Sequence, residues 1–119
     1  MSRSYEMGVT ITGFNKSKLQ KIKKACLAEW DFEEDELSVQ VDEKKKRTLT
    51  GKGVGFLCGG EVEEEFSDRL AKAIWKANGR YCGVEVQAVF LDATPPSDDH
   101  VRGKDDYKRL IGKAVQHEQ

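Results

Sequence analysis

The chain has 119 residues; 38% of them are hydrophobic, 34% are charged, and the net charge at pH 7 is −1. This length predicts one domain with a single hydrophobic core. No apolar run approaches the roughly 18 residues of a membrane-spanning helix, so the sequence predicts a protein without a membrane span. The balanced charge argues against a generic nucleic-acid binder, because such proteins neutralise phosphates with an excess of Lys and Arg.

The N-terminal residues and the cysteines bear on the cellular compartment. Residues 1–14 lack the apolar stretch of a secretory signal, so we expect a cytoplasmic protein. The three cysteines, Cys26, Cys58 and Cys82, are widely spaced and form no CxxC pair. We therefore expect them to be small core residues in a reducing compartment.

Hydrophobic periodicity predicts a strand and a helix in the first third of the chain. The odd positions of residues 5–11 are apolar and alternate with polar or small residues, which is the pattern of a half-buried strand. Asn15 or Ser17 can cap a following amphipathic helix. The apolar face of that helix is formed by Leu19, Ile22, Cys26 and Trp30.

Two strands joined by a basic turn are predicted next. Residues 37–41 alternate apolar and polar side chains, and residues 48–58 return as a third strand. The turn carries four consecutive cations, Lys44, Lys45, Lys46 and Arg47. A solvated hairpin turn explains such a run more simply than a nucleic-acid contact, and both interpretations stay open.

A second helix, a fourth strand and a tail complete the predicted elements. Residues 61–77 place one apolar stripe on a helical face, and Asn78-Gly79 supplies a left-handed cap at its end. Residues 83–91 alternate as a fourth strand. The prolines at positions 95 and 96 then break regular structure. A short third helix is predicted from an apolar stripe that consists of Tyr107, Leu110, Ile111 and Ala114.

The order of these elements predicts the fold class. A β-α-β-β-α-β chain with both helices on one side of an antiparallel sheet is a ferredoxin-like α+β sandwich. We expect residues 1–92 to form this domain, and residues 93–119 to form a linker and a short C-terminal helix.

The glycine-rich stretch GKGVGFLCGG, residues 51–60, allows three interpretations. A Walker-type phosphate loop needs GxxxxGK[ST] and a dinucleotide fingerprint needs GxGxxG, and neither motif is present. The helix that follows begins with Glu61, Glu63 and Glu64, whose charges oppose a bound phosphate. An ordinary strand and an RNA-binding strand remain.

The RNA-binding interpretation rests on the octapeptide pattern K/R-G-F/Y-G/A-F-V-x-F/Y. Four residues match it, namely Lys52, Gly53, Gly55 and Phe56. In this motif, and in its order of elements over residues 5–91, the chain resembles the RNA-recognition-motif family. The resemblance implies a β-α-β-β-α-β fold and bases stacked on exposed rings. Three aromatic positions of the family are filled otherwise, by Val54, Gly59 and Thr10, so the resemblance implies the fold more than RNA binding.

The two interpretations predict opposite faces for the same side chains. If the strand is ordinary, Val54, Phe56 and Cys58 point into the core and the glycines lie on the open side of the sheet. The family resemblance implies the reverse. Alternation alone favours the ordinary strand, with the glycines marking a bulge or a close backbone approach.

Other polar groups offer weak candidates for chemistry. His100 and His117 both lie in the polar tail. A catalytic triad or a zinc site there would need an ordered structure, and the sequence of the tail does not indicate one. The acidic clusters around residues 29–36 and 61–65 lack the spacing of a calcium loop. We therefore expect no catalytic residue, metal or cofactor.

Trp75 is predicted to face outward on the second helix, next to Ala71 and away from the apolar stripe. An exposed tryptophan often anchors a contact with a partner. The tail helix is too short to be stable alone, so it needs a surface, which is either this side of the second helix or the sheet face that no helix covers. We expect it to dock on Trp75, in its own chain or in a second copy. The predicted partner-binding residues are Ala71, Trp75, Tyr107, Leu110 and Ile111.

These observations favour a non-catalytic binding or interaction module with a protein partner or a second copy as its ligand. The alternative is a domain that binds single-stranded RNA or DNA. That domain would use Lys44, Lys45, Lys46, Arg47, Lys52 and Phe56. A small enzyme is the third hypothesis.

Overall fold

The computed structural model describes residues 3–57, 60–91 and 98–112, and its architecture is α+β. The strands are β1 (Arg3–Thr12), β2 (Ser38–Val41), β3 (Arg47–Leu57), β4 (Gly83–Phe90) and β5 (Asp98–Arg102). The helices are α1 (Leu19–Glu29), α2 (Glu63–Asn78) and α3 (Lys104–Tyr107), the last continuing into a π-helical turn (Lys108–Gly112). The six elements expected up to residue 90 are therefore found, in the expected sequence order.

One antiparallel sheet holds all five strands in the order β2-β3-β1-β4-β5. β1 is central and pairs with β3 and β4 along most of its length. Its odd-numbered side chains from Tyr5 to Ile11 are buried in one core with residues of both long helices, because strand side chains alternate between faces. The main members of this core are Tyr5, Met7, Val9, Ile11, Ile22, Cys26, Phe66, Leu70 and Ile74. We call the opposite face of the sheet, which bears the even-numbered side chains of β1, the open face.

β5 was not expected from the sequence. It pairs with β4 from Ala88 opposite Asp98 to Val84 opposite Arg102, within the segment predicted as linker and helix. Its sequence, DDHVR, has no apolar alternation, because the side chains that face α2 are those of His100 and Arg102. Charged contacts hold this strand in place of apolar ones, so a hydrophobic pattern could not reveal it.

The prediction that Trp75 faces solvent is wrong. Its side chain is 1% exposed, and its indole Nε1 donates a hydrogen bond of 2.7 Å to the carbonyl oxygen of Cys82. The ring of Tyr107 contacts it edge-on, with 5.1 Å between centroids. α2 therefore has apolar contacts on two sides, one with the main core and one with the tail.

The tail docks on α2 within its own chain. Tyr107, Leu110 and Ile111 are half-buried and pack against the core residues. The helix predicted there is a single turn of α-helix followed by the π-helical turn, and Ala114 lies outside the described residues. The predicted contact between Trp75 and the tail is thus present as an intramolecular one.

Candidate functional site

The side chains of β3 face the sides of the sheet opposite to those that the ordinary-strand interpretation predicted. Leu57 and the three glycines of β3, Gly51, Gly53 and Gly55, are buried on the helix-covered side, whereas Val54 and Phe56 are 53% and 62% exposed on the open face. The prediction that Val54 and Phe56 face the core is therefore wrong. Cys58, the third side chain in that prediction, lies outside the described residues.

The glycines of β3 are explained by the chain segment that crosses them. Trp30 donates its indole N–H to the carbonyl oxygen of Gly53 at 2.9 Å. A Cβ atom at Gly53 would overlap the Asp31 carbonyl oxygen, and one at Gly55 would lie 2.9 Å from the Trp30 ring. The glycines therefore mark a close backbone approach, as the sequence suggested, but they do so on the covered side of the sheet.

Phe56 belongs to an apolar group at one end of the open face. Ser4 of β1 is paired with Phe56 on one side, and its carbonyl oxygen accepts a 3.0 Å hydrogen bond from the N–H of Leu91 on the other. Glu6, two residues along β1, lies between Val54 and Val89 in the same way. We call Val54, Phe56, Val89 and Leu91 the apolar patch. It flanks β1 symmetrically, with two members on or beside each neighbouring strand.

A polar band lies next to the apolar patch on the open face. Gly8 of β1 is paired with Lys52 on β3 and with Gln87 on β4. Two carboxylates stand on the β4 and β5 side of this band, those of Glu85 and Asp99. Lys52 is the cation on the β3 side. A shallow depression of about 370 Å³ runs between the two sides and is lined by Gly8, Thr10 and Glu6 of β1 among others.

The basic hairpin turn is remote from Phe56. Arg47 and Phe56 lie nine positions apart on β3, which is roughly 30 Å at about 3.3 Å per residue. The turn is well ordered, because the Asp42 carboxylate accepts hydrogen bonds from the backbone N–H groups of Lys44 and Lys46. The predicted nucleic-acid residues thus form two separate groups, Lys44, Lys45, Lys46 and Arg47 at the turn and Lys52 and Phe56 on the open face.

The residues predicted to bind a partner lie in an intramolecular contact. Ala71 and Trp75 are buried, and the half-buried side chains of Tyr107, Leu110 and Ile111 cover that side of α2. The tail of the same chain therefore occupies the surface that the sequence offered to a partner. The open face, with its apolar patch, is the second surface that the sequence offered, there for the tail or for nucleic acid, and the described part of the tail does not cover it.

Thiols and acidic clusters provide no reactive centre in the described residues. Burial raises the pKa of the Cys26 thiol and of the Cys82 thiol to about 12, so both stay protonated at neutral pH. Within residues 3–57, 60–91 and 98–112, no group of three or more His, Cys, Asp or Glu side chains could hold a metal ion. In the same ranges, no helix is long and apolar enough to cross a membrane.

No protein-family model matches this chain, and neither a curated protein nor a solved structure matches it.

Proposed function

We propose that the protein is a non-catalytic interaction module that forms a homodimer through the open face of its sheet. The observation that carries this proposal is the position of the apolar patch. Its members occupy matching levels on the two sides of β1, Phe56 and Leu91 beside Ser4, and Val54 and Val89 beside Glu6. Three of its four members are exposed, with Ser4 and Glu6 of β1 between its two halves, and exposed apolar side chains grouped in this way typically mark a contact surface.

A two-fold axis parallel to β1 makes the open face complementary to itself. Such an axis lays β3 of one copy over β4 of the other at the same level along the strands. Phe56 then lies over Leu91 of the second copy, and Val54 lies over Val89. Each apolar contact occurs twice, as it must in a two-fold interface. Face-to-face sheets of this kind pack in nearly aligned orientation, about 10 Å apart.

The charge of Lys52 on the open face agrees with the same axis. Lys52 of one copy lies over Gln87 of the other, within reach of the carboxylates of Glu85 and Asp99. This contact pairs unlike charges. Glu6, which lies on β1 itself, faces Glu6 of the second copy across the axis, and this like-charge contact opposes the arrangement.

The size of the open face is sufficient for a dimer. The three long strands β3, β1 and β4 lie about 4.8 Å apart and give roughly 10 by 30 Å between outer Cα atoms, and the four-residue β2 and five-residue β5 widen the face to about 20 Å over part of its length. With side chains included, this is comparable to the about 800 Å² that each partner contributes to a standard interface. We also propose the finer fold assignment, a ferredoxin-like sandwich extended by β5, and a cytoplasmic location.

The test is the solution mass of two matched variants over a range of concentrations. We expect the unmodified chain to approach twice its 13.4 kDa mass as concentration rises. Phe56→Glu should remain monomeric, because it buries a charge in the centre of each apolar contact. Val41→Glu is the control, because Val41 is equally exposed but lies on β2, away from the patch. Equal dimerisation of the two variants would refute the proposal.

A single-stranded nucleic-acid binder is the second candidate, and the outward direction of Phe56 favours it. Phe56 and Lys52 lie on the open face, as the family resemblance requires. Against it, the same face carries Glu6, Glu85 and Asp99, whose charges repel phosphates.

A titration with a single-stranded oligonucleotide at low salt separates the two candidates. If the protein binds nucleic acid in this way, Phe56→Ala weakens binding by about 1–3 kcal/mol and added salt weakens it further. The homodimer proposal predicts no binding at low salt and an unchanged dimer mass in the presence of the oligonucleotide.

A further inference from the structure

A row of carboxylates on α2 faces a row of cations on the tail. Asp68 Oδ1 accepts a 2.8 Å hydrogen bond from Arg102 Nε and a 2.9 Å hydrogen bond from Arg109 Nη2. Arg102 is 5% exposed, and its Nη2 also donates to a Glu64 carboxylate oxygen at 2.8 Å. Ion pairs therefore hold β5 against α2, whereas Val101, the apolar residue of β5, points to the open face and is exposed.

His100 is bound by carboxylates at both ring nitrogens. Its Nδ1 lies 2.9 Å from a Glu64 oxygen, and its Nε2 lies 2.9 Å from a Glu63 oxygen. A carboxylate can only accept, so both contacts are hydrogen bonds only when both nitrogens carry protons and the ring is positively charged. The other Glu63 oxygen accepts from the Tyr5 hydroxyl at 2.8 Å, which anchors this carboxylate to β1.

We propose that β5 and α3 form a pH-dependent clasp on α2, closed when His100 is protonated and opened when it loses its proton. Opening uncovers the edge of β4 and the side of α2 that contains Trp75. The proton that leaves His100 goes to solvent, and no other covalent change accompanies the step.

Deprotonation removes one hydrogen bond and one charge from a balanced cluster. With a charged ring, three cations, His100, Arg102 and Arg109, face the carboxylates of Glu63, Glu64 and Asp68. With a neutral ring, one nitrogen becomes an acceptor that faces a carboxylate oxygen at 2.9 Å, which is repulsive. Asp106 adds a further carboxylate beside Arg109 at 3.2 Å. With the ring neutral, the three facing carboxylates exceed the two remaining cations by one, and Asp106 raises this excess of negative charge to two.

The direction of the pH dependence follows from the same contacts. Partial burial lowers the pKa of His100, but the hydrogen bonds to Glu63 and Glu64 outweigh it and hold the pKa above the ordinary value of 6.5. The clasp is thus closed below that ordinary value and opens as the pH rises through the raised one. The hydrogen bond from His100 lowers the pKa of Glu64. Acid therefore opens the clasp only at a pH low enough to protonate the Glu64 carboxylate.

The experiment is amide hydrogen exchange of the full chain at about pH 6 and about pH 9, with protection corrected for the intrinsic exchange rate at each pH. We expect the protection of β5 amides to fall at least about tenfold at the higher pH, while β1 amides keep theirs. His100→Gln should remove this difference by giving low protection at both pH values. His117→Gln, which changes the other histidine, is the matched control and should behave as the unmodified chain.

A second measurement keeps the proposal testable if His100→Gln does not fold. The ring ¹⁵N shifts of His100 in the unmodified chain report its charge directly. We expect an imidazolium at about pH 6 that titrates together with the loss of β5 protection. A neutral ring at about pH 6, or β5 protection that is the same on both sides of the His100 titration, would overturn the proposal.

Discussion

The two faces of the same sheet differ in what fills them. On the covered face, every inward side chain of β1 is buried, and where β3 has only glycines the space is taken by Trp30 and the chain around it. On the open face, the same strands present an apolar patch beside a charged band. An apolar side chain on a strand therefore does not identify the core face of the sheet when large side chains of the layer packed against that face fill the space that glycines leave.

The largest expected loss of stability comes from truncating Trp75, the buried side chain between α2 and the tail. Trp75→Ala should lower the free energy of unfolding by about 3–5 kcal/mol, because it leaves a large cavity between α2 and the tail. Chemical denaturation measures this change. Val101→Ala, a truncation of an exposed residue on the open face, serves as the control and should change stability by no more than about 0.5 kcal/mol.

Adding one methyl group to the covered face of β3 should also destabilise the protein. Gly53→Ala places a Cβ atom against the backbone of Asp31 and Phe32, and we expect a loss of about 1–3 kcal/mol or more. Lys52→Ala, one residue earlier on the open face, should be nearly neutral in the same denaturation experiment at concentrations where the chain is monomeric. Equal stability of the two variants would mean that the segment around Asp31 does not lie against β3.

The sequence was sufficient for elements whose apolar residues face the core at a regular period. β1, α1, α2 and β4 were predicted for this reason, and Gly79 closes α2 in the left-handed conformation that its sequence suggested. The direction of β3 was missed because glycine was treated as a surface residue. A closer search for bulky residues able to cover three glycines would have considered Trp30 and Phe32.

The remaining errors concern contacts between charged groups and between distant segments. β5 has no apolar period, since the half-buried His100 and the buried Arg102 face α2 through ion pairs. Trp75 lies away from the main apolar stripe of α2, but it is buried all the same because the tail covers it. The apolar period of α2 indicates only the side of the helix that faces the main core. It could not reveal the second apolar contact, which the tail provides.

A change of pH is expected to lower stability by less than either of the substitutions Trp75→Ala and Gly53→Ala. Because the pKa of His100 is raised in the folded protein, its contribution to stability is complete below 6.5 and is lost as the pH rises through the raised value. The urea midpoint should therefore decline through this window, and His100→Gln should lack the decline. A midpoint that rises with pH there would contradict the account of the clasp.

The smallest effect on stability is expected at the centre of the apolar patch. Phe56→Ala should change the free energy of unfolding of the monomer by no more than about 0.5 kcal/mol, because the ring is 62% exposed. Denaturation at concentrations where the chain is monomeric measures this. A loss of about 3–5 kcal/mol would instead assign the ring to the core.

The most direct test of the proposed dimer is a nuclear Overhauser experiment on an equal mixture of labelled and unlabelled chains, filtered for contacts between copies. Within one chain, β3 and β4 are separated by β1, so Phe56 and Leu91 are about 10 Å apart and give no direct signal. We predict intermolecular contacts between the Phe56 ring and the Leu91 methyl groups, and between Val54 and Val89. Intermolecular contacts confined to other surfaces, or none at concentrations where the mass is that of a dimer, would contradict the account.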